Sequence, residues 1–291
     1  MLALRKTCEY NGYEYMAAIL LAKHAGKISV ACNTIDDIFG VSPDCIESAH
    51  APDYLMAMTT VNKRYANHWI QQFNSELVTH PFPNIETVYL CGKSELPDIK
   101  ELNRPFKRVE KKGDVYIKTS DNTFVAFSIK QSTGCTKTNW SVERILPSEE
   151  LKQTRIQYLK ENGFETFQKS ERKRVNSLFY GTNPYFTLLR EKIEEHKQNI
   201  LDQFGTALYG IGLPYPLYEF DSTSLKWLNG TKIDTMSFDE YDSYYLTKKG
   251  DKKSTAKLFY KLQMNDQTYR VEVRWKGNVF TSPQFHTHME N

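Results

Sequence analysis

With 291 residues, 40% of them hydrophobic, 13% aromatic and 25% charged, the chain has the composition of a globular protein able to bury one large core or two smaller ones. A net charge of +3 is too small to mark a polyanion binder by itself, so clusters of charge have to decide that question. Five cysteines, widely spaced and never in a C-x-x-C pair, argue against a disulfide framework or a zinc site.

Taken in chain order, the first apolar run, "MAAILLA" (Met16 to Ala22), is far short of the roughly 20 residues that cross a membrane. No signal-cleavage pattern surrounds it, and a cytoplasmic protein is expected. Around it "YEYMAAILLAKHAG" has an apolar face and a glycine stop at Gly26. Next, "VNKRYANHWIQQFNSELV" places Val61, Tyr65, Trp69, Phe73 and Leu77 at four-residue steps, a helical stripe that Pro81 and Pro83 end. "NIETVYLCG" then reads as a strand, followed by a polar loop with Pro97 and Pro105. Amphipathic helices are expected from Ser148 to about Asn162 and from Asn183 to about Phe204. "LYGIGLPYPLYEF" and "KLFYKLQMNDQTYRVEVRWKG" are aromatic-rich and strand-like. The alternation predicts an α/β or mixed α+β class, a central mixed sheet flanked by helices. Residues 1–82 read as an N-terminal helical segment and 83–291 as the core, together one compact unit.

The most informative stretch is "GDVYIKTSDNTFVAFSIKQSTG", Gly113 to Gly134. A three-residue loop at Ser120, Asp121 and Asn122, with Asn122 left-handed, makes every cross-strand pair sum to 242. Val115 then faces Phe127 and Ile117 faces Val125, and with Ile129 these form one apolar face. The other face carries Asp114 opposite Ser128, with Lys130 two residues beyond. A carboxylate, a hydroxyl and an ammonium at one sheet end suit metal-assisted phosphodiester hydrolysis, in which hard oxygen ligands hold Mg²⁺ and a lysine serves the attacking water.

Asp114 at the start of one strand and "FSIKQSTG" at the end of the next resemble the signature of the PD-(D/E)xK nuclease superfamily, and within it type II restriction endonucleases that replace the second acid. The match covers about a tenth of the chain, and Ser128 stands where the family has an acid. The resemblance implies a restriction-endonuclease-like core. Asp114 would be a metal ligand, the Ile129 backbone carbonyl a second ligand, Lys130 the lysine at the water, and Ser128 the variant member. A third ligand would come from a helical glutamate, for which Glu76 is the candidate. The Pro-Asp dipeptides at Asp44, Asp53 and Asp98 do not lie across a predicted hairpin from Lys130, although Asp98 is reachable by a longer excursion.

Basic residues flank this hairpin along the chain: Lys112 before it, Lys137 and Arg144 after it. Farther on, Tyr269, Val271, Val273 and Trp275 alternate with Arg270, Glu272, Arg274 and Lys276, the pattern of a half-buried strand. A loop with Asn278, Ser282 and Gln284 follows, and Arg, Lys, Asn and Gln are side chains that suit base edges. This end also resembles, over a short span, the C-terminal strand and loop of some restriction enzymes. Lys112, Lys137, Arg274, Lys276, Asn278, Ser282 and Gln284 are the expected DNA contacts. His286 and His288, an H-x-H with no further ligand nearby, read as a disordered terminus rather than a metal site. No glycine-rich phosphate-loop pattern is present.

The reading is a Mg²⁺-dependent, sequence-specific double-stranded DNA endonuclease of restriction type. Its implied partners are duplex DNA, a second copy of the chain in a homodimer, and a cognate DNA methyltransferase in the same system. The alternatives are a structure-specific DNA nuclease and a non-catalytic DNA-binding protein with a degenerate nuclease core.

Overall fold

The computed structural model describes residues 11–48, 54–91, 96–106, 113–146, 148–241, 244–246, 252–254 and 256–290. Its first elements are α1 (Gly12–His24), α2 (Ile35–Phe39), β1 (Glu47–Ser48), α3 (Tyr54–Met58), α4 (Lys63–Thr79), β2 (Ile85–Leu90) and α5 (Pro97–Leu102). The hairpin strands β3 (Val115–Thr119) and β4 (Phe124–Ile129) follow, then β5 (Thr138–Ser141). A helical run comprises α6 (Val142–Ile145), α7 (Ser148–Glu161), α8 (Arg172–Ser177), α9 (Pro184–Glu195) and α10 (Lys197–Tyr209). The remainder is strand: β6 (Leu217–Phe220), β7 (Leu225–Trp227), β8 (Met236–Tyr241), β9 (Tyr244–Leu246), β10 (Lys252–Ser254), β11 (Lys257–Met264), β12 (Gln267–Arg274) and β13 (Gln284–Glu290). The protein is thus of mixed α/β class. No helix of the described residues is long and apolar enough to cross a membrane.

The chain divides into two compact units, 1–135 with 209–231, and 136–208 with 232–291. This corrects the boundary expected at residue 82. The N-terminal helices share one core with Val88, Val115, Ile117, Phe127 and Ile129 of the sheet, so they are not a separate segment.

In the first unit a six-stranded mixed sheet runs β1-β2-β3-β4-β6-β7. Strands β2, β3 and β4 form an antiparallel meander, and β6 joins β4 in parallel. Helix α1 has almost no exposed residue from Tyr13 to Ala22, so it is apolar on all sides and belongs inside the core. It starts at a capping box, in which the Asn11 side chain accepts from the Tyr13 and Glu14 amides and Glu14 returns to the Asn11 amide. It stops at Gly26, whose φ of 73° any Cβ would disfavour. The opposite sheet face is covered by Ile99 of α5 together with Tyr116, Ala126, Tyr215 and Leu217.

Helix α4 buries Ala66, Trp69, Ile70, Phe73 and Leu77, while Tyr65 is exposed and Val61 precedes the helix. Four-residue steps overshoot the 3.6-residue turn by about 40° each, so the stripe stays buried from Trp69 to Leu77 and leaves the buried face at Tyr65. The long helix expected over 183–204 is two helices, broken at His196.

The second unit holds a five-stranded antiparallel sheet, β5-β13-β12-β11-β8, and the short β9–β10 pair. One face of the larger sheet buries Trp140, Phe238, Leu258, Tyr260, Leu262, Val271, Val273 and Phe285. Phe204 of α10 packs on Trp140, Phe238 and Phe285 of that face. Strand β13 occupies the segment expected to be a loop and disordered terminus. Its alternation of Phe285 and Thr287 inward against Gln284, His286 and His288 is a strand pattern, and pairing on both edges holds it.

A buried ion pair anchors this unit. Arg155 grips Glu143 in two parallel bonds of 2.9 and 3.0 Å and donates to the Val279 carbonyl at 3.1 Å, while the Tyr185 hydroxyl donates to Glu143 at 3.1 Å. Replacing Arg155 by Met leaves a buried carboxylate without its cation. We expect a loss of about 3–5 kcal/mol in urea unfolding, against under about 1 kcal/mol for exposed Lys152→Met.

Candidate active site

The hairpin register follows the sum of 242: Val115 pairs with Phe127, Tyr116 with Ala126, Ile117 with Val125 and Lys118 with Phe124. The turn is closed by Thr119 N–H to the Thr123 carbonyl at 2.9 Å, with Asn122 at φ 63°. Asn tolerates that left-handed position better than other non-glycine residues.

At the open end the strand departs from the regular ladder. The Asp114 N–H donates to the Phe127 carbonyl at 2.8 Å, although Val115 is the register partner of Phe127. Two residues therefore face one, as in a bulge, and the side chain at 114 is re-aimed. Its Oδ2 accepts from the Ile129 N–H at 2.7 Å, taking the rung that a further β3 carbonyl would have supplied. This corrects the expectation that Asp114 stands beside Ser128 on the sheet face. The residue before it, Gly113, is buried, and a Cβ there would lie 2.4 Å from the Tyr116 ring, so this approach to Asp114 requires glycine.

The Ile129 N–H points to the β3 side. In an extended strand the carbonyl of the same residue points to that side too. Lys130 follows, with its N–H bonded to the Phe220 carbonyl at 2.8 Å and its carbonyl accepting from the Trp69 indole N–H at 3.2 Å. Trp69 is itself locked by Tyr13, Phe73 and Phe220. The strand end that carries the ammonium is thereby fixed from α4 and β6.

A residue that sequence reasoning did not name joins this site. The Glu14 carboxyl is pushed up to about 8, chiefly by burial and next by the charge of Asp114. Its bonds with Asn11 and the charge of Lys130 pull the other way. Glu14, Asp114 and Lys130 thus share one electrostatic neighbourhood. The capping-box spacing of Asn11 and Glu14 was the signal available in the sequence, and it accounts for the cap but not for the partner across the core.

Glu76 is engaged elsewhere. It accepts from the Leu225 N–H at 2.8 Å and lies 3.5 Å from His80, so it closes the end of β7. Asp98 accepts from the Tyr89 hydroxyl at 3.0 Å. Ser128 is 6% exposed, on the face of Ala126, and is aligned in the parallel ladder with Glu219 of β6, a carboxylate on the neighbouring strand.

Among the described residues, no group of three or more His, Cys, Asp or Glu side chains is arranged to hold a metal ion. Asp114 and Glu14 bring two carboxyl groups into one electrostatic neighbourhood. Mg²⁺ fits such a set, because it commonly takes one or two carboxylates and keeps several waters.

Of the expected DNA contacts, Lys112 lies outside the described residues. Lys137 is buried, which removes it as a phosphate contact. Ser282 accepts from the Ser141 hydroxyl and the Glu143 N–H at 2.8 and 3.0 Å, and is thus committed within the fold. Asn278 accepts from the Phe280 N–H at 2.9 Å and shapes a turn. Lys276 is exposed beside it, and Arg274 and Gln284 are register partners on adjacent strands. His286 is held neutral, its pKa lowered to about 4 by burial and by the neighbouring charges of Arg274 and His288. Its Nε2 lies 2.8 Å from Arg274 and its Nδ1 2.8 Å from His288, a side-chain network across β12 and β13.

The raised Glu14 carboxyl fixes the sign of a stability profile. The native state holds a proton there that the unfolded chain has released above about 4.5, so stability falls as pH rises from about 4.5 through about 8. Glu14→Gln keeps an acceptor for the cap and carries no charge. It should match the wild type near pH 4 and exceed it increasingly up to about pH 8 in urea melts, by about 1.4 kcal/mol for each unit by which the Glu14 pKa is raised. A difference between the two proteins that does not change with pH contradicts the placement of Glu14. No family model, curated protein or solved structure matches the chain.

Proposed function

We propose that the protein is a Mg²⁺-dependent, sequence-specific DNA endonuclease of the PD-(D/E)xK type, cleaving duplex DNA by hydrolysis. The observation that carries this reading is the Asp114 carboxylate bonded to the Ile129 N–H at the frayed end of β3 and β4, with the charges of Asp114 and Lys130 both acting on the buried Glu14 carboxyl. The mixed sheet, with the aspartate just before one strand and the lysine just after its antiparallel neighbour, supports it as well.

Asp114 and Glu14 would hold the cation, with the Ile129 carbonyl as a neutral third oxygen. When bound, Mg²⁺ supplies positive charge to the scissile phosphate and lowers the pKa of water. Lys130, its backbone fixed by Trp69 and Phe220, presents its ammonium to the attacking water and the phosphate oxygens, offsetting the negative charge that grows at the transition state. The burial that makes Glu14 costly to ionise keeps the site poor in water, where such charge–charge effects are strongest. In this arrangement Ser128 is not the acid's replacement, because Glu14 brings the second carboxylate from α1.

Incubation with a plasmid of mixed sequence and Mg²⁺ should give discrete fragments. Asp114→Ala and Lys130→Ala should each lower the rate by roughly a hundredfold or more, Lys130→Ala at unchanged melting temperature and Asp114→Ala at a lowered one, because the Ile129 N–H loses its acceptor. Glu14→Gln should also slow cleavage, and Ser128→Ala should cut at close to the wild-type rate. Full cleavage by Lys130→Ala means that the site is misassigned. Discrete nicks only at branches or flaps favour a structure-specific nuclease.

A further inference from the structure

Helix α8 is preceded by the 3₁₀ turn Lys169–Glu171, and the two together carry "KSERKR" in the second unit. The inner side of this segment is Val175, 1% exposed. Lys169 stands one 3₁₀ turn before Arg172, so their side chains lie along the same side. Arg174 is about 200° round the helix from Arg172. There it meets Glu171 at 3.7 Å and covers the Phe164 ring at 5.0 Å, with Glu165 next to that ring in the chain. The acids closest in sequence therefore accompany Arg174, and not Lys169 or Arg172.

Arg172 reaches the connection from β12 to β13. A Cβ on Gly277 would lie 3.0 Å from its Nη2 and 3.1 Å from its Cζ, so the guanidinium rests on the open side of that glycine. The φ of 99° at Gly277 favours glycine as well. Lys276, the residue before it, is exposed, and so are Lys169, Arg172 and Lys173. The connection is firmly held. Trp275 packs on Phe179, Tyr185 and Phe186 with ring centroids at 4.6, 5.8 and 5.6 Å, and its indole N–H donates to the Thr281 carbonyl at 2.8 Å. Two segments far apart in the chain thus place four cations on one secured surface. Among the described residues none of the four is ion-paired, whereas Lys192, Lys197 and Lys257 of the same unit each meet a carboxylate. Unpaired cations held together repel one another, and a bound polyanion relieves that repulsion. The planar fork of an arginine flanked by lysines suits a row of phosphates.

We propose that Lys169, Arg172, Lys173 and Lys276 form a phosphate-binding surface for duplex DNA, with the Arg172 guanidinium, seated over Gly277, as its central contact. The choice of duplex DNA among polyanions rests on the endonuclease reading. The contacts position the duplex and carry no sequence information.

The test is anisotropy of a labelled 30-base-pair duplex without divalent cation, at several salt concentrations, alongside plasmid cleavage with Mg²⁺ by the same preparations. Arg172→Gln/Lys173→Gln is the main variant and Lys276→Gln the second. Lys152→Gln/Lys232→Gln is the control, removing the same charge as the main variant from two ion-paired lysines of the same unit. Each is checked by thermal melting. The main variant should bind about tenfold more weakly, with the slope of log affinity against log salt reduced by roughly 1 to 2, Lys276→Gln should lower the slope by about 1, and the control should bind as wild type. Unchanged affinity and slope in the main variant and in Lys276→Gln overturn the surface, and wild-type cleavage in that case leaves the nuclease reading standing. Duplex binding that depends on these residues, with no cleavage by any protein, supports the surface and defeats the nuclease reading. Absence of duplex binding by the wild type, or equal loss in the control, overturns the proposal, as does tighter binding of single-stranded DNA, duplex RNA or polyglutamate.

Discussion

The bond from the Ile129 N–H to the Asp114 carboxylate, 2.7 Å long, is the constraint on which the proposed site depends. A β-ladder that ends leaves unpaired peptide groups, and burying them without partners costs free energy. Here an aspartate side chain takes over the last rung. It satisfies one buried donor and at the same time brings a negative charge to the sheet terminus, where the Ile129 carbonyl and Lys130 also emerge. Gly113 permits the bend beneath the Tyr116 ring, and the Trp69 indole secures the next peptide. Structure and chemistry at this point use the same atoms.

The site also carries a cost that the rest of the unit offsets. Glu14 sits at the start of a helix whose following residues are almost wholly buried, close enough to Asp114 for the two carboxylates to repel. An acid in such surroundings destabilises the fold when ionised. The capping box and the charge of Lys130 recover part of that cost, and a bound divalent cation would recover more.

The hairpin was legible in the sequence because its information is local. One left-handed Asn and one alternation pattern determine the register from Val115 to Phe127, and the fold class followed from the succession of patterns. The contribution of Glu14 was not legible, since 100 residues separate it from Asp114 and only tertiary packing brings them together. Glu76 looked similar on a helical wheel but turns to the end of β7. The C-terminal strand β13 was hidden by polar residues on one of its faces, which make a sheet surface read as a tail. The division into units was hidden as well, because residues 136–208 leave the first sheet after β4 and the chain returns to it only at β6.

The central claim is that Asp114, Glu14 and the Ile129 carbonyl form one divalent-cation site. Crystals grown with Mn²⁺, examined at a wavelength where manganese scatters anomalously, test it directly. The account requires an anomalous peak about 2.0–2.3 Å from an Asp114 carboxylate oxygen, with Glu14 and the Ile129 carbonyl as further ligands. Well-ordered side chains at Asp114 and Glu14 with no peak between them, at a Mn²⁺ concentration that supports cleavage, would contradict it.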